Sequence, residues 1–165
     1  MAMQLAVSHG ARIVAVVGIA LMLAACASKS KTTGATAALG AAATGSSQDF
    51  VVNVGDRVFF ETDSTDLTVV SRTTLDRQAQ WLKQYTRYAI TIEGHADERG
   101  TREYNIALGA RRSDTVRAYL VSLGIGANRF RTISYGKERP VAVCNDISCW
   151  SQNRRSVTLV NSAGS

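Results

Sequence analysis

Residues 88–95 read YAITIEGH, and Ile90 and Ile92 fall on one side of an extended chain. This alternation predicts a half-buried strand. Upstream, in RTTLDRQAQWLKQYT (72–86), Leu75, Ala79, Leu82 and Tyr85 recur at helical spacing and predict an amphipathic helix. Downstream, TREYNIALGARRSDTVRAYLVSLG predicts a long helix with the apolar stripe Leu108, Val116, Tyr119, Leu120 and Leu123. Thr101 suits its N-cap and Gly124 its stop. RFRTISYG and RRSVTLVN predict two more strands, and FVVNVGDRVFFETD, broken at Gly55-Asp56, predicts two short strands around a tight turn. The order β-α-β-α-β-β implies an α+β sandwich, with two main helices packed on one face of a small mixed sheet.

The pattern changes toward the N-terminus. Arg12 precedes an apolar run, Ile13–Ala25. As a helix that run is about 20 Å long, short of the roughly 30 Å of a bilayer core. A positive residue, a short apolar core and small residues at its end predict a secretory signal peptide over residues 1–25. Its last residues, Leu23-Ala24-Ala25-Cys26, resemble the bacterial lipobox, in which the cysteine thiol is acylated and the chain is cut before it. At about 0.8 kcal/mol per buried CH₂, two or three acyl chains hold a protein on a membrane. Ala27 is not acidic, unlike the residue of the inner-membrane retention signal it would otherwise resemble. Residues 27–48, mostly Ala, Gly, Ser and Thr, are too poor in large apolar side chains to offset their ordering entropy. They predict a tether with an r.m.s. span of roughly 25 Å and an extended limit of about 75 Å. Residues 49–163 then form one domain of ordinary size.

Charge and cysteines add little to this organisation. The 165-residue chain is formally +6, with 19 Lys and Arg against 13 acids. No Lys/Arg stripe with interleaved aromatics is present, which argues against nucleic acid. With Cys26 assigned to lipid, Cys144 and Cys149 remain as an even pair in an exported chain, which favours a disulfide closing a short loop.

The densest chemistry is EGHADERGTREYN, residues 93–105, where a strand breaks into a loop and then opens a helix. Catalysis would need His95 to act with Asp97 or Glu98 and a nucleophile, and no nucleophile signature accompanies them. As metal ligands His95, Asp97 and Glu98 are too few and too close together. The long helix is more telling. Arg112 stands four residues from both Leu108 and Val116, so it lies in the apolar stripe, while Arg111 is turned about 100° away. An inward arginine is seldom unpaired, and the loop upstream offers Asp97. Two readings stay open: a structural ion pair, or a clamp in which Asp97 receives an ammonium and Arg112 holds a carboxylate.

The segment EGHADERGTREYNIALGARRSDTVRAYL resembles the signature of the OmpA-like domain family. RVFFETDSTDL before it, and ISYGKERPVA and WSQNRRSV after it, come in family order, and together they cover residues 57–160. The lipobox and tether place the resemblance with the family's lipoproteins rather than its barrel proteins. The resemblance implies no enzyme and no cofactor, and non-covalent binding of peptidoglycan through the free end of meso-diaminopimelate. It assigns Asp97 to the ammonium, Arg112 to the carboxylate and Asn105 to a hydrogen bond, and it places Phe60 and Glu61 along the groove. Asn153–Arg155 is a family feature of mainly structural role, with Arg154 a contact behind the site. Arg102 stands where many members have proline, and Glu61 where aspartate is commoner. The implied setting is the outer membrane, with the domain facing the periplasm and TolB and other Tol proteins as partners at cell division. The alternative is a wall-binding lipoprotein outside the Tol system.

Overall fold

The computed structural model describes residues 42–162; the expected signal peptide, Cys26 and most of the expected tether lie outside these residues. Strands β1 (Arg57–Phe59), β2 (Tyr88–His95), β3 (Phe130–Gly136) and β4 (Arg155–Ser162) form one sheet in the order β1-β4-β2-β3. β4 is antiparallel to both neighbours, and β2 and β3 are parallel. Parallel neighbours need a crossover, and helix α2 (Arg102–Ser122) supplies it, while α1 (Val69–Gln84) links β1 to β2. The fold is the mixed α+β arrangement implied by the order of elements.

Register puts the apolar positions of the strands on one face. Ile90 pairs with Val160 and Ile92 with Thr158. Val58, Ile90, Ile92 and Val160 form one core with Leu75, Ala79 and Leu82 of α1 and Val116 and Leu120 of α2. Both helices begin on threonine caps: Thr68 Oγ1 accepts from the Ser71 N–H at 3.1 Å, and Thr101 Oγ1 from the Tyr104 N–H at 3.2 Å. α2 ends at Gly124, whose φ of +93° favours glycine.

The first of the two expected short strands does not form. Ser47–Asp49 is an α-helical turn that runs into a π-helical turn, Phe50–Gly55. Its valines favour a strand locally, but tertiary contacts decide otherwise. Asp49 is buried and accepts from the Gly45 N–H at 2.8 Å, Asn53 Nδ2 at 2.8 Å and Trp81 Nε1 at 2.9 Å. A buried carboxylate needs such donors, and the helical turn brings Asn53 within reach. Phe50, fully buried, packs edge-on against Trp81. The Gly45 carbonyl accepts from Arg87 Nη2 at 2.6 Å and Tyr88 Oη at 2.8 Å. Residues 45–48, which the sequence assigns to the tether, are thus tied to the folded domain among the described residues.

A short helix, α3 (Ile147–Asn153), replaces part of the loop expected before β4. Asp146 caps it, accepting from the Ser148 N–H at 2.7 Å. A disulfide joins Cys144 to Cys149 inside this turn, with Cα atoms 5.6 Å apart.

One contact sets the height of α2 over the sheet. A Cβ on Gly94 would overlap the Gly109 carbonyl, and one on Gly109 would stand 2.8 Å from the Gly94 oxygen. The two glycines let helix and strand backbones touch, which places Arg112, one turn further on, over the end of β2. Among the described residues no helix is long and apolar enough to cross a membrane.

Candidate functional site

Arg112 has no solvent exposure. Its Nε donates to the Ser64 carbonyl at 2.9 Å, Nη1 to His95 at 2.8 Å and Nη2 to Glu61 at 3.1 Å. The guanidinium also lies over the Phe60 ring, 5.1 Å from its centroid. Three of its five N–H donors are therefore fixed on carbonyls, and one remains on each of Nη1 and Nη2. Burial lowers its pKa to about 10, so it stays charged at neutral pH.

Asp97, just beyond the end of β2, is 7% exposed. It pairs with Arg99, whose Nη2 donates to Oδ2 at 2.7 Å and whose Nε donates to Oδ1 at 3.1 Å. The Arg99 backbone N–H adds a bond to Oδ1 at 3.2 Å, and Arg154 Nη1 reaches Oδ2 at 3.4 Å. Burial pushes the Asp97 carboxyl up, but the Arg99 and Arg154 donors outweigh it and hold its pKa below the usual carboxylate value. The direct Arg112–Asp97 ion pair does not form; Asp97 has arginine partners and Arg112 has carbonyls.

Asp97 and Arg112 nonetheless line one cavity of about 280 Å³, together with Thr62, Asp63, Arg99, Gly100, Tyr104, Asn105 and Leu108. Asn105 is buried on the first turns of α2 and donates Nδ2 to the Arg99 carbonyl at 2.7 Å, pinning the loop to the helix. Lys137 Nζ donates to the Gly100 carbonyl at 2.7 Å from the other side. Phe60 and Glu61 touch Arg112 but do not line this cavity. Phe60 is buried in the core beneath Arg112, Glu61 is exposed and offers Arg112 its backbone carbonyl, and both border an adjoining groove of about 610 Å³. Arg154 bridges the two regions, donating Nε to the Phe60 carbonyl at 3.0 Å. Arg102, the first residue of α2, makes an exposed ion pair with Glu138 at 3.2 Å.

His95 does not face the cavity. Its ring, 1% exposed, lies beside Tyr135, and neither ring nitrogen has a hydrogen-bond partner among the described residues. Burial, reinforced by Arg155 and Arg139, lowers its pKa to about 4, although Nε2 is 3.5 Å from a Glu93 oxygen. Sequence reasoning missed Arg99, Asp63 and Tyr104. The Tyr104 hydroxyl donates to Asp63, a contact across 41 positions that no local spacing signals.

The α+β domain thus sets a buried acid and a buried arginine on one cavity. The OmpA family profile matches residues 59–154. This chain belongs to the OmpA family, a family of binding domains, and it is not an enzyme. Within that family its place is among the peptidoglycan-associated lipoproteins, or Pal. It is 66% identical over 149 residues to the Rhizobium meliloti protein of that name, covering 88% of this chain and 85% of that one. It is 63% identical to the Mesorhizobium japonicum protein of the same name, covering 88% and 89%. Among solved structures, the peptidoglycan-associated lipoprotein of Burkholderia pseudomallei superposes with a TM-score of 0.63 at 40% identity, covering 64% of this chain and 90% of that one. The C-terminal domain of Helicobacter pylori MotB, at 22% identity and a TM-score of 0.61, shares the fold.

Proposed function

We propose that this chain is a lipoprotein of the outer membrane that holds the cell wall through its periplasmic domain. Residues 1–25 act as the signal peptide, Cys26 carries the acyl chains, palmitate among them, and the segment after it spans the gap to the folded domain. The domain binds peptidoglycan non-covalently through the free end of meso-diaminopimelate. One observation supports this reading above the rest: Asp97 and Arg112, oppositely charged and both buried, share a single small cavity without pairing with each other. A zwitterionic group presents an ammonium and a carboxylate side by side, and the cavity offers one partner for each. Arg112 keeps one N–H on Nη1 and one on Nη2 with which to bind a carboxylate. Asn105 and Lys137 hold the loop between them in shape. TolB and the other Tol proteins are the proposed partners, and the bridge from membrane to wall then serves constriction of the envelope at division.

The test is retention of the full-length protein, in detergent, on isolated sacculi. Asp97→Asn keeps the side-chain shape and removes the charge. It should lose most retention, and a free stem peptide ending in diaminopimelate should compete with the wild-type protein. Undiminished retention of Asp97→Asn would refute the assignment. Co-purification of TolB from cells separates the Tol-linked role from a wall-binding role alone.

A further inference from the structure

An ionised carboxylate has about four lone-pair sites, and in this structure those of Asp97 are all taken. Oδ1 accepts from the Arg99 backbone N–H and Arg99 Nε, and Oδ2 from Arg99 Nη2 and Arg154 Nη1. A ligand ammonium therefore meets a saturated acid. The three donor groups differ in freedom. Arg154 is 5% exposed and tied through Nε to the Phe60 carbonyl. The Arg99 N–H belongs to a loop pinned by Asn105 and Lys137. The Arg99 side chain alone is loosely held: it is 40% exposed, and beyond Asp97 it has only a long contact to Thr62 Oγ1 at 3.4 Å and the face of Trp150, 4.2 Å from the ring centroid.

We infer that the Arg99 guanidinium is a built-in competitor for the ammonium subsite, seated on Asp97 until a ligand cation displaces it. The inference rests on the reading of Asp97 as the ammonium receiver. Arg99 keeps the buried carboxylate paired in the empty protein, where an uncompensated buried charge would be costly. It makes the bound state depend on an exchange of cations: a ligand without an ammonium leaves Arg99 in place and gains nothing from Asp97. Trp150 gives the guanidinium an aromatic face on which to rest, a favourable partner for arginine with or without the acid.

Removing the competitor should tighten binding. The probe is the stem tripeptide ending in diaminopimelate, with a second peptide lacking only the distal amine as control, each titrated calorimetrically into the full-length protein. Arg99→Gln should bind the first peptide about tenfold more tightly, the gain when a subsite open about a tenth of the time becomes always open. Its affinity for the second peptide should not change. An unchanged or weakened affinity of Arg99→Gln for the first peptide, with Asp97→Asn still losing binding, overturns the inference and leaves the proposed function standing. Asp97→Asn binding as well as wild type would bring down the proposed function and this inference together.

Discussion

Gly94 of β2 and Gly109 of α2 meet backbone to backbone, with no room between them for a methyl group. Everything the cavity needs from α2 depends on that approach, because Asn105 and Arg112 ride on the same helix. Gly94→Ala should destabilise the domain by about 3 kcal/mol or more, since backbone rather than a flexible side chain would have to yield. Urea unfolding measures it, and a loss below about 1 kcal/mol would show that the helix lifts freely.

Arg112 and its neighbour Arg111 make a matched comparison. Arg112→Ala takes a donor from three carbonyls in two segments; Glu61 keeps the Ser64 N–H, while those of Ser64 and His95 cost about 1–3 kcal/mol each when unsatisfied. Stability and sacculus retention should fall together. Arg111 is exposed, and Arg111→Ala should stay within about 0.5 kcal/mol of wild type and keep its retention. Equal losses at both positions would contradict the site.

His95 predicts an acid-sensitive fold. In the folded chain its pKa is about 4, against an ordinary value of 6.5. Between those values the unfolded chain holds the extra proton, so stability falls as pH drops from 6.5 toward 4. The loss attributable to this ring approaches about 3 kcal/mol at the lower end. Asp97, with its lowered pKa, adds a loss in the same direction at still lower pH. Unfolding curves across this range should show the slope, and His95→Gln should flatten it above pH 4.

The Cys144–Cys149 bridge closes a short ring, worth about 2 kcal/mol. Sequence separation suggests that reduction would leave the site untouched, but the structure argues otherwise. Trp150 follows Cys149, donates Nε1 to Glu98 and carries Arg99 on its face. Reduction should lower the melting temperature and also speed amide exchange at residues 98–100. Exchange confined to residues 144–149 would mean that the two loops are uncoupled.

Cys26→Ser should release the protein from the membrane or leave it as an uncleaved precursor. A mature-length mutant fractionating with outer membrane would refute the lipid anchor.

Much of the frame was legible because local and tertiary signals agree. The span 88–95 was found intact, and Thr101 and Gly124 bracket α2 as their chemistry requires. Arg112 could be placed inward because a single arginine in an apolar stripe has few ways to lie. Residues 50–55 were misread because their valines speak for a strand, while the deciding partner, Trp81, lies 32 positions from Asp49. α3 was missed because its seven residues give too little periodicity, although Asp146 is a fair cap. Arg99 was hidden for a different reason. A loop gives no periodicity from which to tell that residue 99 folds back on residue 97, so the acid was legible and its occupant was not.

The clasp at Gly45 decides where tension enters the fold. Any pull arriving at residue 42 meets the bonds from Arg87 and Tyr88 to the Gly45 carbonyl, and behind them the grip of Trp81 on Asp49. Force is thereby handed to the end of α1 and the start of β2, an inner strand paired on both sides. The three-residue edge strand β1, which would peel away readily, is bypassed. The loop carrying Asp97 lies at the opposite end of β2 from Tyr88, so a ligand held at the proposed site and strain on the chain would act at separate ends of one strand.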